Sequence, residues 1–219
     1  MKLALQILAG VVLLSLLPFL PASVQGTGGD GAASKENLDL PLNALGTDED
    51  EEDAPEIVIF YDLPLEGDGF FYVVDKSGSM NDAGELAIAK REITKNITEF
   101  SDRVQFGVFL FSSNVAKFPS SGQAAEASPS MKAAAVAWIV AQQSTPGSCV
   151  QAGLSAALQM ANASSAKRKV ITYVGDGGGT CNGANEAEYL KQTLAAVSAQ
   201  NYQLIQFICF GVLNYPKLN

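Results

Sequence analysis

Phe70-Phe71-Tyr72-Val73-Val74-Asp75-Lys76-Ser77-Gly78-Ser79-Met80 decides how this chain is read. Phe70–Val74 is a short, unbroken apolar run, the signature of a strand in a parallel sheet covered on both faces. The run ends at Asp75, and hydroxyls follow at every second position, Ser77 and Ser79. In open α/β sheets, ligand sites form where strands give way to loops at their carboxyl ends. One carboxylate and two hydroxyls on one tight loop make a group of hard oxygens suited to Mg²⁺ or Mn²⁺. The plain alternative is a polar turn, with Ser-Gly-Ser serving as turn chemistry and helix cap.

Working outward, further apolar runs rich in Val, Ile and Phe predict strands at Ile57–Tyr61, Val104–Phe111, Val170–Val174 and Leu204–Phe210. Helical spacing lies between them. Leu86, Ala89, Ile93, Ile97 and Phe100 recur on one face of Gly84–Ser101, and Met131–Gln142 is rich in Ala. Val150–Asn162 and Ala184–Gln200 carry similar stripes. Strands alternating with helices predict an α/β fold: a doubly wound, largely parallel sheet with helices on both faces, Rossmann-like in class. Ile57–Tyr61 is expected to cover one edge of that sheet. The loops after the strands then share one rim, where Asp75, the segment Thr145–Ser148 and Asp176 can converge.

These residues resemble a von Willebrand factor type A domain carrying a metal-ion-dependent adhesion site. Asp75, Ser77 and Ser79 match its Asp-x-Ser-x-Ser loop, and Asp176-Gly177 matches its last Asp after a central strand. Its Thr loop, a Gly-Thr ahead of a helix, falls on Gly147-Ser148, with Thr145 close by as the other candidate. The resemblance covers about residues 57–212. It implies that Ser77 and Ser79 bind a divalent cation directly, and that Ser148 adds an oxygen directly or through water. Asp75 and Asp176 would hold coordinated waters. Mg²⁺ suits such a site, with Mn²⁺ or Ca²⁺ as alternatives, because it keeps waters. The resemblance further implies an open position for a carboxylate of a protein partner, hence adhesion or complex assembly. The family continues past its fifth strand with another strand and a helix, whereas only Gly211–Asn219 remain here, which implies a C-terminally shortened version. Asp82 reads as a helix-start carboxylate, favourable near the positive end of the dipole. If the loops converge, Cys149 and Cys181 meet, and an exported protein keeps such a disulfide; Cys209, in an apolar run, is expected to be a buried free thiol.

The remainder of the chain sets its address and excludes other chemistry. Residues 1–26 combine Lys2, an apolar block from Leu3 to Leu20 and small residues at Ala22, Ser23 and Gly26, the three parts of a secretory signal peptide. An uncleaved membrane anchor is the alternative, since the block is nearly long enough to span a bilayer. Residues 27–55 form an acidic flexible linker containing Asp48-Glu49-Asp50-Glu51-Glu52-Asp53, and residues 56–219 are the globular domain. The protein is therefore expected outside the cytoplasm: secreted, periplasmic or on the cell surface. A net charge of −9 argues against nucleic-acid partners and anionic membrane surfaces. With no histidine in the chain, Ser-His and Cys-His nucleophiles and His general bases are ruled out. Phosphatases of the haloacid dehalogenase type place Asp-x-Asp after their first strand; Ser77 stands where the second acid belongs. No enzymatic activity is expected. A structural domain that binds no metal is the remaining alternative.

Overall fold

A computed structural model describes residues 54–211 apart from residues 83, 178, 180 and 184. The signal segment, nearly all of the acidic linker and residues 212–219 lie outside the described residues, and with them the expectations of cleavage, tethering and C-terminal shortening.

Five strands form the path of the central sheet. These are β3 (Gly69–Asp75), β4 (Gln105–Phe111), β5 (Val115–Phe118), β7 (Lys169–Gly175) and β8 (Gln206–Gly211), in the order β5-β4-β3-β7-β8. β4, β3, β7 and β8 are parallel; β5 and the two-residue β6 (Ala125–Glu126) pair antiparallel with β4. Every residue of β3 is buried, as its unbroken apolar run requires. Alternation within the strands feeds two cores. Phe70, Tyr72, Val74, Phe106, Val108 and Leu110 pack with α2 (Glu85–Glu99) and α3 (Pro129–Ala141). Phe71, Val73, Phe109, Phe111 and Ile171 pack with α4 (Val150–Ala163) and α5 (Glu186–Gln200). The expected doubly wound, largely parallel sheet is the observed one.

The first strand is placed differently from expectation. β1 (Glu56–Phe60) does not extend the sheet edge; it pairs antiparallel with β2 (Leu63–Gly67) as a separate hairpin. The hairpin lies over the first core, with Phe60 edge-on to Phe210 and tilted against Tyr72. Its turn residues Tyr61 and Asp62 both have positive φ, 47° and 62°. Hairpin turns need that handedness, which Asn-Gly supplies at least cost.

Asn96 fastens the hairpin from below. Its side chain donates to the Ile59 carbonyl at 2.7 Å and accepts from the buried Tyr72 hydroxyl at 2.9 Å. Asn96→Ala leaves the buried Tyr72 hydroxyl and the part-buried Ile59 carbonyl unpaired, and a buried orphan costs about 1–3 kcal/mol. The variant is expected to lose roughly 2–4 kcal/mol of stability, read from urea unfolding midpoints.

Two further expectations are corrected. Cys209 is exposed rather than buried, because β8 is the outer strand and its inner neighbours take the helix cover. Asp82 does not start the long helix: it ends a separate five-residue helix, α1 (Gly78–Asp82), and Glu85 occupies the first turn of α2.

Candidate metal centre

The chain leaves β3 toward β4 on one side and leaves β7 toward β8 on the other. The crevice between the ends of β3 and β7 is therefore the topological switch point, where doubly wound sheets bind ligands. Asp75 closes β3, and Asp176 follows Gly175 at the end of β7.

Asp75 is buried, with 1% of its surface exposed. Its Oδ1 accepts the Ser77 backbone N–H at 2.7 Å, and its Oδ2 accepts the Ser148 hydroxyl at 2.7 Å across 73 residues of sequence. The Ser77 and Ser79 hydroxyls are 3.0 Å apart and share a hydrogen bond. Asp176 directly follows β7, the strand beside β3, and its charge contributes to raising the Asp75 carboxyl. All five sequence-predicted residues thus belong to one rim. Thr145 does not join them: its hydroxyl pairs with that of Ser112 at 2.6 Å. Among the described residues no three Asp, Glu, Cys or His side chains gather to hold a metal, so the site is rich in hydroxyls and poor in charge.

Backbone ties hold the loops in register. The Lys76 N–H donates to the Phe111 carbonyl, Thr145 N–H to the Lys76 carbonyl, and Cys149 N–H to the Ser112 carbonyl, at 2.8–2.9 Å. Ser112 and Ser113, at the carboxyl end of β4, therefore clamp the segment 145–149, and sequence reading missed them. The same rule that singled out Asp75 would have found them: polar residues directly after a buried strand. Two glycines are needed here. Gly147 has φ +93° and lies against the Ser113 side chain, and a Cβ at Gly179 would strike the Ser148 hydroxyl. Cys149 and Cys181 form the expected disulfide, Cα atoms 4.5 Å apart, linking the start of α4 to the loop after β7.

Burial pushes the Asp75 carboxyl above the ordinary carboxylate range, opposed by hydrogen bonds from Ser148 and Ser77 and reinforced by the charge of Asp176. The folded metal-free protein consequently holds this proton more tightly than the unfolded chain. For a raised carboxyl, stability is lost as pH rises through the shifted value. Asp75→Asn removes that loss. In chelator, its urea midpoint is expected to pull ahead of wild type as the pH is raised from about 4 to about 7. A gap that stays constant with pH would contradict the shift.

By sequence, no family model matches the chain, nor does any curated relative. By structure, the described domain is similar to a von Willebrand factor type A protein from Catenulispora acidiphila. The TM-score is 0.54 at 17% identity, covering 67% of this chain and 33% of that one. The fold is von Willebrand factor type A-like. An aerotolerance-related membrane protein from Bacteroides fragilis aligns at TM-score 0.50 and 18% identity, over 65% of this chain and 66% of that one. The open form of the pilus adhesin SpaC from Lactobacillus rhamnosus GG aligns at TM-score 0.45 and 20% identity, over 58% of this chain and 16% of its own. The chain thus spans only part of each of these proteins. Among its described residues no helix is long and apolar enough to cross a membrane.

Proposed function

We propose that this type A-like domain is an exported adhesion module, not an enzyme. It binds Mg²⁺, or Mn²⁺ or Ca²⁺, through Asp75, Ser77, Ser79, Ser148 and Asp176, and through the ion a carboxylate of a protein partner. The observation that carries this reading is the 2.7 Å hydrogen bond from Ser148 to Asp75, which joins two distant loops beside the Ser77–Ser79 pair at the switch point. The residues fit the group. Hydroxyl and carboxylate oxygens are the donors hard cations take, and the two carboxylates repel each other unless a cation lies between them.

Ser77, Ser79 and Ser148 supply neutral oxygens, and Asp75 fixes two of these three residues by accepting from Ser148 and from the Ser77 backbone. Asp176 adds charge from the neighbouring strand end. A bound divalent ion would supply electrophilic character, since so few anions of the protein oppose its charge. That surplus is what attracts one more carboxylate from outside. The test is calorimetric titration of the full chain with Mg²⁺ and with Mn²⁺. Uptake of one ion per chain, and metal-dependent binding of acidic partner peptides, supports the reading. A chain that takes up neither ion is a structural domain, and the proposal falls.

A further inference from the structure

The pole of the sheet opposite the cation site carries a cluster of positive charge. A cavity of about 390 Å³ opens at the amino ends of β3, β4 and β7, and Ala54, Glu56, Asp68, Arg103, Lys167 and Arg168 are in its wall. Lys167-Arg168-Lys169 is the only run of three cations in the sequence. Arg103, Lys167 and Arg168 are all exposed. The two acids of the wall are already engaged. Asp68 accepts from Arg168 through both carboxylate oxygens at 2.9 Å, and Glu56 accepts from the Ser101 N–H at 3.1 Å and the Ser101 hydroxyl at 2.8 Å. Arg103 enters no ion pair among the described residues. The wall is thus positive in a chain whose net charge is −9.

The counter-charge adjoins it in the sequence. Asp48-Glu49-Asp50-Glu51-Glu52-Asp53 is an unbroken acidic run, and Asp53 is bonded to Ala54 in the wall of the cavity. Fully extended, such a run reaches about 20 Å, enough to pass every cation of the wall. Blocks of like charge often serve as interaction tails. One tethered this closely meets its target at an effective concentration in the millimolar range. Surface ion pairs that are weak singly are then sufficient when several act together.

We propose that the basic cavity is the docking site of this chain's own acidic segment, residues 48–53, which folds back along Arg103, Lys167 and Arg168 and keeps external anions out. The consequence is orientation. The leash is held at the amino ends of the strands, while Asp75 and Asp176 lie at or just past the carboxyl ends, one strand length or about 20 Å away. The cation rim is thereby presented away from the leash. The docking itself does not depend on that rim binding a cation.

The test uses the full chain and a glutamate-specific protease. Cleavage after Glu49, Glu51 and Glu52 is followed by mass spectrometry, with cleavage after Glu36 as the internal reference. Arg103→Gln combined with Lys167→Gln is expected to speed cleavage of the acidic run by about 5- to 10-fold at low ionic strength, as loss of two exposed pairing partners implies. At about 1 M salt, where the screening length falls to about 3 Å, wild type and variant should be cut equally fast. A second measurement leaves the wall intact. Changing Asp48, Asp50 and Asp53 to Asn, and Glu49, Glu51 and Glu52 to Gln, should open the cavity. A free peptide Asp-Glu-Asp-Glu-Glu-Asp should then bind at least about 10-fold more tightly than it binds wild type. Equal cleavage in wild type and variant at low salt overturns the proposal, as does protection that survives 1 M salt. Equal peptide affinity for wild type and the amide-substituted chain also overturns it, and makes the basic pole a site for an external acidic partner.

Discussion

Asp75→Ala is expected to lower Mn²⁺ affinity by at least about 100-fold, beyond the range seen for outer-shell changes, while the protein still folds cooperatively. The two halves of that expectation come from one environment. Among the described residues, Asp75 is the one that ties the Ser77–Ser79 loop to Ser148 through side-chain oxygens. Without it, the hydroxyls lose both a neighbouring charge and their orientation. Yet the same carboxylate is held out of solvent and repelled by Asp176, so its charge does not stabilise the metal-free fold. Truncation removes that repulsion and leaves the Ser148 hydroxyl and the Ser77 N–H without their acceptor, a cost of about 1–3 kcal/mol each at most. The net change in stability is expected to stay within roughly 2 kcal/mol. Thr145→Ala is the contrast: its hydroxyl is spent on Ser112, so Mn²⁺ affinity should stay near wild type. Equal loss in both variants would mean that loop architecture, and not ligand chemistry, governs binding. Undiminished affinity in Asp75→Ala would remove the proposed site.

What could be read in the chain follows from how each feature is encoded. β3 was legible because a parallel strand buried on both faces has no polar alternation to confuse it, and Asp75 ends it abruptly. The meeting of Asp75 and Ser148, with Asp176 following the neighbouring strand, was legible through topology, since carboxyl ends of parallel strands share a rim. Ser148 was preferred to Thr145 only through the register of the family resemblance, and the physical basis of that preference was not legible. It depends on the backbone bond from Thr145 to Lys76 and the hydroxyl bond to Ser112, long-range pairings that leave no local pattern. The hairpin was half legible. Ile57–Tyr61 has β-forming residues, but Leu63–Gly67 contains Pro64 and its Tyr61-Asp62 turn lacks the Asn-Gly signal. β5 and β6, four and two residues long, are too short for periodicity to register. Cys209 was misplaced because an apolar run in an outer strand looks the same as one in a central strand.

Removing the disulfide has the second large expected effect, and it couples stability to the site. The bond closes a loop between residues 32 apart, for which the chain-entropy relation gives about 3–4 kcal/mol. Cys149→Ser with Cys181→Ser is therefore expected to lose roughly that much in urea unfolding, a large fraction of a small domain's stability. Cys209 should be replaced by Ser in all chains compared, because its exposed thiol could attack the bond. The site should weaken too. Cys149 adjoins Ser148, and Gly179, two residues before Cys181, lies against the Ser148 hydroxyl. The bond thereby holds the loop after β7 against the oxygen that reaches Asp75. Once it is cut, ordering that loop falls to the cation itself, so Mn²⁺ affinity should drop by roughly 10-fold, about 1.4 kcal/mol. Lost stability with unchanged affinity would show that the backbone clamp from Ser112 to Cys149 holds Ser148 unaided. Unchanged stability would instead show that the chain between the two cysteines is already restrained when unfolded, since the entropy estimate assumes a free loop.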